Sequence, residues 1–237
     1  MKHSVVQGSQ NEPGVLLFLN DVAEEAEEDF NRWHQQQHLS ERLAIPGFQM
    51  ARRYQAVGGQ PKYMVVYNCD SIDVLASSSY RHCLDHPTTW TRKVVPNFRN
   101  VLRSACRETW STGTGIGGSV IIVQCQAIQG REQDARSYIR DSFGPNIMET
   151  DGMVRMSLWE TESAITNSPS TEALLRGSAD NYAQWVLFLE NYDLLKTALA
   201  LHTHILKCEG GSSGLLIGSW ARYQLISAAN ASSPRTA

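Results

Sequence analysis

The chain alternates between two hydrophobic periods, and the order of the switches repeats. Residues 14–22 form an almost unbroken apolar run suited to a buried strand, and an acidic stretch leads from it into a helical pattern that Pro46-Gly47 stops. Residues 48–57 and 62–69 predict a hairpin across Gly58-Gly59-Gln60-Pro61. A second helix over 71–84 and a fourth strand over 97–110 complete the order β-α-β-β-α-β, the ferredoxin-like unit.

After the glycine-rich linker 112–118 the order returns. Strands are predicted over 119–128, 152–160, 184–192 and 215–227, with helices over 131–143 and 193–208 and a polar loop around Asn167 to Ser170. The expected organisation is a first repeat over 1–111, a second over 119–227 and a disordered tail over 228–237. A single ferredoxin-like sheet leaves one apolar face uncovered, and two sheets facing each other cover both. The fold class expected is α+β, two tandem ferredoxin-like repeats packing as an α+β barrel.

Composition narrows the function classes. Of the 237 residues, 42% are hydrophobic, enough for one large core. A net charge of -3 argues against nucleic acid as a partner, and the basic clusters, Arg52-Arg53 and Arg92-Lys93, are local. No apolar run reaches membrane-spanning length and the N-terminus is too polar for a signal peptide, so a cytoplasmic protein with no membrane partner is expected. Five scattered cysteines without a Cys-x-x-Cys pair read as buried reduced thiols.

The chemistry-bearing segment is Asp29 to Glu41. At about 100° per residue, with Phe30 at zero, His34 falls near ~40°, His38 near ~80° and Glu41 near ~20°. These three ionisable groups share a side with Ala26, Ala44 and Ile45, and burying them costs free energy unless they are paired or used. His38 is read as an acid/base, with Glu41 or His34 fixing its tautomer. The competing reading has both histidines merely hydrogen-bonded at a core edge.

Trp33, His38, Leu39, Glu41 and Arg42, then Pro46-Gly47-Phe48, Arg52-Arg53-Tyr54, Pro61-Lys62-Tyr63 and Val66-Tyr67, together resemble the dimeric α+β barrel superfamily, especially its EthD-like branch. Pro87 to Arg92 is similar to a Pro-Thr-x-Trp-Thr segment of some bacterial members. The resemblance spans roughly residues 14–110. It implies a cavity between sheet and helices, in which a histidine at the position of His38 acts on a small, often aromatic-derived compound. Gln36-Gln37 stand where the family has two glutamates, and helix 131–143 has no histidine, so one site per chain is expected.

Beside the catalytic set His38, His34 and Glu41, the substrate-binding candidates are Arg52, Tyr54, Trp33, Tyr80, His82, Trp90 and Arg92. Arginine suits a carboxylate clamp, and on a strand only one of Arg52 and Arg53 can look inward. His86, four residues after His82, reads as a helix C-terminal group. The expectation drawn is a homodimeric enzyme without cofactor or metal, an isomerase, hydrolase or lyase acting on a small oxygenated acid or ester of aromatic catabolism. The alternatives are a haem or metal enzyme of the same fold, with His202 or His204 as axial ligand, and a metabolite-binding protein without turnover.

Overall fold

The computed structural model describes residues 12–177, 180–208 and 212–231, with the side chains of 207 and 208 left aside. Eight strands close into an antiparallel barrel: β1 (Gly14–Val22), β2 (Phe48–Ala56), β3 (Tyr63–Cys69), β4 (Phe98–Gly113), β5 (Ser119–Ala127), β6 (Met153–Thr161), β7 (Trp185–Asn191) and β8 (Leu215–Asn230), in the spatial order β1-β3-β2-β8-β5-β7-β6-β4. Each half contributes four neighbouring strands in the ferredoxin-like order, and the expected fold class holds. The halves join edge to edge, β2 with β8 and β4 with β6, so a single chain closes the barrel and leaves no sheet edge unpaired.

Strand alternation sorts the side chains into layers. Val15, Leu17 and Leu19 of β1 point into the barrel with Met64, Val66, Ile122, Trp159 and Phe188, while Leu16 and Phe18 face the outer helices. On β2 the same rule sends Arg52 and Tyr54 inward and Ala51 and Arg53 outward. Inside the barrel Arg52 Nη1 donates to Glu190 Oε1 at 2.6 Å, and its guanidinium lies 5.4 Å from the Phe188 ring centroid.

Three sequence expectations shift. Strand β4 runs on through Gly113 into the expected linker; Gly113 has φ of +81°, and a Cβ there would meet the Val154 carbonyl at 2.3 Å, so only glycine lets β4 lie this close to β6. Residues 228–230, expected in the tail, finish β8, because the edge of β2 at Met50 to Arg52 needs a partner. The rest of that tail, 232–237, lies outside the described residues. The second-half helix is helical through Met148, past Gly144-Pro145, because the π turn Ile139–Phe143 puts the missing N–H of Pro145 where the hydrogen-bond ladder changes register.

The expected polar loop between β6 and β7 is a strap, described over residues 162–177 and 180–184, with two short helices, Ser163–Thr166 and Thr171–Leu175. It leaves the second half and lies over the helices of the first. Among the described residues no helix is long and apolar enough to cross a membrane. Cys69, Cys106 and Cys125 are free and buried, and burial pushes each thiol up to about 12, which keeps them protonated.

Candidate active site between sheet and histidine helix

Residues 24–43 are helical throughout, but His34–His38 form a π turn. Hydrogen bonds from i to i+5 spread one turn over about one more residue, which holds back the rotation expected of a regular helix. Phe30, His34, His38 and Arg42 thereby line one face at four-residue intervals, all of them on the wall of one cavity. Glu41, expected near ~20° on that face, is not in the wall; its Oε1 accepts from Gln37 Nε2 at 2.8 Å, and desolvation raises its pKa against that hydrogen bond.

The cavity is about 40 Å3 and lies between β1, β3 and β4, the histidine helix, the helix Ser78–Asp85 and the strap. At about 10–15 Å3 for one water it has room for a few waters or one diatomic molecule. Its polar wall is Asn20, His34, His38, Arg42, Tyr67, Tyr80, Arg103, Ser170, Glu172 and Arg176. Both imidazoles are buried, their ring centroids 5.3 Å apart, and the Nδ1 of each has no hydrogen-bond partner. The Tyr67 hydroxyl is also unpartnered, and burial raises its pKa.

Burial holds both histidines well below the ordinary imidazole range; Arg53 and then Arg42 add to it for His34, and Arg42, His34 and Arg53 for His38. They are neutral at pH 7. A neutral imidazole keeps a lone pair for a proton. For Arg42, burial alone would lower the pKa, but Glu172, Tyr80 and Cys83 hold it above its usual value.

Supporting contacts fix these groups. Trp33 lies against His38 with ring centroids 4.2 Å apart, and its Nε1 donates to Thr91 Oγ1 at 3.2 Å. Thr88 caps the helix Thr89–Val94 by accepting from the Thr91 N–H, so the segment Pro87 to Arg92 sets the tryptophan that backs the histidine. Arg103 Nη2 donates to Tyr80 Oη at 3.4 Å and Nη1 to the Thr166 carbonyl of the strap at 2.9 Å.

Of the candidates read from sequence, His34, His38, Trp33 and Tyr80 meet at this cavity. Arg52 and Tyr54 are on the other side of the sheet, inside the barrel. His82 stacks on His86 at 4.1 Å between centroids, outside the cavity wall. Trp90 donates to Asp29 and Arg92 to the Pro87 carbonyl, both also outside it. Arg42, Tyr67, Arg103, Glu172 and Arg176 join the wall without having been candidates. The four-residue spacing from His38 was a cue to Arg42; Glu172 and Arg176 arrive on the strap, which carries no local signature.

A haem does not fit these residues. In the second half Ile139 and Phe143 take the places of His34 and His38, and they pack with Ile121, Met156, Leu189 and Leu201 at 0–1% exposure, so apolar side chains fill the place of the two imidazoles. His202 is exposed beyond it. The first-half cavity is too small for a macrocycle. Among the described residues no three of His, Cys, Asp and Glu come together as a metal set, and Glu41 does not join the histidines.

The architecture is thus an eight-stranded α+β barrel closed by one chain, with its chamber outside the first sheet. No protein-family model matches the sequence, and no curated protein matches it by sequence either. Solved structures do share the fold. An anthrone oxidase-like protein superposes with a TM-score of 0.58 at 10% identity, covering 94% of each chain. A mutant chlorite dismutase from Candidatus Nitrospira defluvii gives 0.58 at 8% identity, covering 92% of this chain and 93% of that one. A candidate monooxygenase from Fusobacterium nucleatum subsp. nucleatum gives 0.57 at 9%, covering 94% and 96%.

These neighbours overturn the expected reaction class. They are described as monooxygenases, an anthrone oxidase-like protein and chlorite dismutases, which favours the haem- or oxidase-type alternative over an isomerase, hydrolase or lyase working without cofactor on an acid or ester.

Proposed function

We propose that the chain catalyses an oxidase- or monooxygenase-type reaction on a small organic molecule in the first-half cavity, with His34 and His38 handling the proton. One observation carries this reading: two neutral, buried imidazoles with unpartnered Nδ1 atoms border a cavity beside guanidinium groups. A neutral imidazole takes a proton from an acidic C–H or O–H of a conjugated substrate. The electron-rich anion left behind is held by Arg42 and Arg103 and reduces dioxygen; the cavity of about 40 Å3 has room for the dioxygen alone, so the organic molecule enters as the wall beside it yields. For a ring methylene, the carbon loses both hydrogens and gains one oxygen atom of dioxygen as a carbonyl, while the other oxygen atom leaves with the two hydrogens as water.

The oxidative neighbours support this reaction type, the anthrone oxidase-like protein most directly. The residues behind the EthD-like resemblance support placing the first half in that branch, since Trp33, His38, Arg42 and Tyr67 all line the cavity. Oxygen uptake with anthrones and related phenols, wild type against His38→Ala, tests the proposal. Uptake that falls by about 100-fold or more in the variant is expected; equal uptake by the two proteins, or none with any such substrate, removes it.

A further inference from the structure

We propose that Glu172 is a built-in stand-in for the ligand: its carboxylate occupies an anion subsite on Arg42, and a small organic anion binds by displacing Glu172 together with the short helix Thr171–Leu175. This rests on the first-half cavity being the functional chamber and names the class of molecule that enters it.

Glu172 Oε2 sits 2.5 Å from Arg42 Nη2, and the two side chains are 9% and 4% exposed. They belong to different halves, joined only by the lie of the strap. The wall brings three guanidiniums together. Arg176 is paired with Asp180, whereas Arg103 meets only the Thr166 carbonyl and the Tyr80 hydroxyl and has no carboxylate partner among the described residues. With the short helix moved away, Arg176 and its Asp180 partner go with it, and Arg42 and Arg103 are left without a carboxylate, beside the unpartnered Nδ1 atoms of His34 and His38 and the hydroxyl of Tyr67. That is a site for an anion with further hydrogen-bonding groups.

The strap is pinned at its ends and lightly held between. The Ala105 N–H donates to Thr166 Oγ1 at 3.0 Å, and Asn181 exchanges backbone hydrogen bonds with Val101 and Arg103, so both ends are tied to β4. Between them, among the described residues, the polar ties to other elements are Arg81 to the Pro169 carbonyl, the Thr171 N–H to Asp85 and the Glu172 pair itself, with Arg176 against the Phe18 ring and Leu175 on the Phe30 cluster as apolar contacts. Gly177, with φ of +71° and open space where a Cβ would be, follows the short helix as a hinge.

Electrostatics couples opening to binding. Pulling Glu172 out alone strands Arg42 as a buried unpaired charge, which is strongly unfavourable. An incoming carboxylate or phenolate replaces one anion by another and keeps Arg42 paired. The exchange favours anions over neutral molecules of the same shape, and it vacates the space the cavity needs to take more than a few waters.

The test uses acetate and benzoate as probes, at constant ionic strength, with benzamide as the neutral isostere. Binding is read by calorimetry, and the strap by hydrogen exchange over residues 163–176. Glu172→Gln is expected to bind at least one of the anions about 10-fold or more tighter than wild type, with no gain for benzamide. In wild type, saturating anion is expected to speed exchange over 169–176, the reverse of the protection that simple binding gives. Unchanged or weaker anion binding by Glu172→Gln, or an equal gain for benzamide, overturns the proposal. Should that variant not fold, slowed or unaltered exchange in the wild type overturns it alone. Anion exchange without oxygen uptake would remove the proposed reaction and leave this subsite; oxygen uptake with no exchange would do the opposite.

Discussion

His34 and Ile139 open the same five-residue π turn in the two halves of the chain, and His38 and Phe143 close it. In one half the turn borders a cavity; in the other the same geometry sits in a buried apolar cluster. The turn thus belongs to the barrel's architecture, and the residues placed in it decide whether a chamber exists.

The double substitution His34→Ile with His38→Phe should convert the first half to the packing of the second. It removes two buried polar groups whose Nδ1 atoms lack partners, each costing about 1–3 kcal/mol when unsatisfied. The variant is expected to melt at least as high as wild type by circular dichroism and to lose oxygen uptake by about 100-fold or more. Retained uptake would show that the imidazoles are not the proton-handling groups.

Stability should respond to acid in a stated direction. Both histidines are held well below the ordinary imidazole value of 6.5 in the folded protein. Between that folded value and about 6.5 the unfolded chain binds protons that the native chain does not, so stability is fully present above roughly pH 6.5 to 7 and falls as the pH drops below it. Melting temperatures from pH 8 to pH 5 should show this loss in wild type, and the double variant should flatten it. A wild-type profile level down to pH 5 would contradict the buried neutral state.

Arg52 and Glu190 give a prediction remote from the chamber. Substituting Arg52→Met leaves the Glu190 carboxyl, already raised in pKa by burial, without the guanidinium that opposes that rise. A loss of about 3–5 kcal/mol is expected in urea unfolding, and Arg52→Met with Glu190→Met should recover most of it. Additive losses in the double variant would mean that the pair is not coupled.

Hemin added to the purified protein should give no saturable shift of its absorption band, because Phe143 and its neighbours fill the layer beside His202 and His204. A stoichiometric shift abolished by substituting either histidine would reverse this expectation.

The fold was legible because strand runs and helix periods are local signals, and two consecutive β-α-β-β-α-β orders leave few ways to cover both faces of each sheet. The candidate site was legible in part. His34 and His38 announced themselves as ionisable groups on an apolar helix face, and Trp33 and Tyr80 as large aromatics nearby. Glu41 was assigned to the face that Arg42 occupies because a regular 3.6-residue turn was assumed, and nothing in residues 34–38 announces a π turn. Glu172 and Arg176 could not be found from local pattern at all, since their contacts with Arg42 and Phe18 span well over a hundred residues. Arg52 and Arg92 looked like clamps by residue type alone, and strand alternation and the cap at Thr88 sent them elsewhere.

The strap occupies the connection between β6 and β7, where the first half has only the short turn between β2 and β3. A hairpin loop is the one part of a closed barrel whose length and sequence can drift without disturbing the register of any strand. The reactive groups and the piece that covers them are therefore open to change at different rates: the histidine helix is tied to the barrel's geometry, while the cover can be lengthened, recharged or shortened by changes that leave the scaffold intact. If Glu172 holds the proposed anion subsite, selectivity is an evolvable trait housed outside the half that holds the imidazoles.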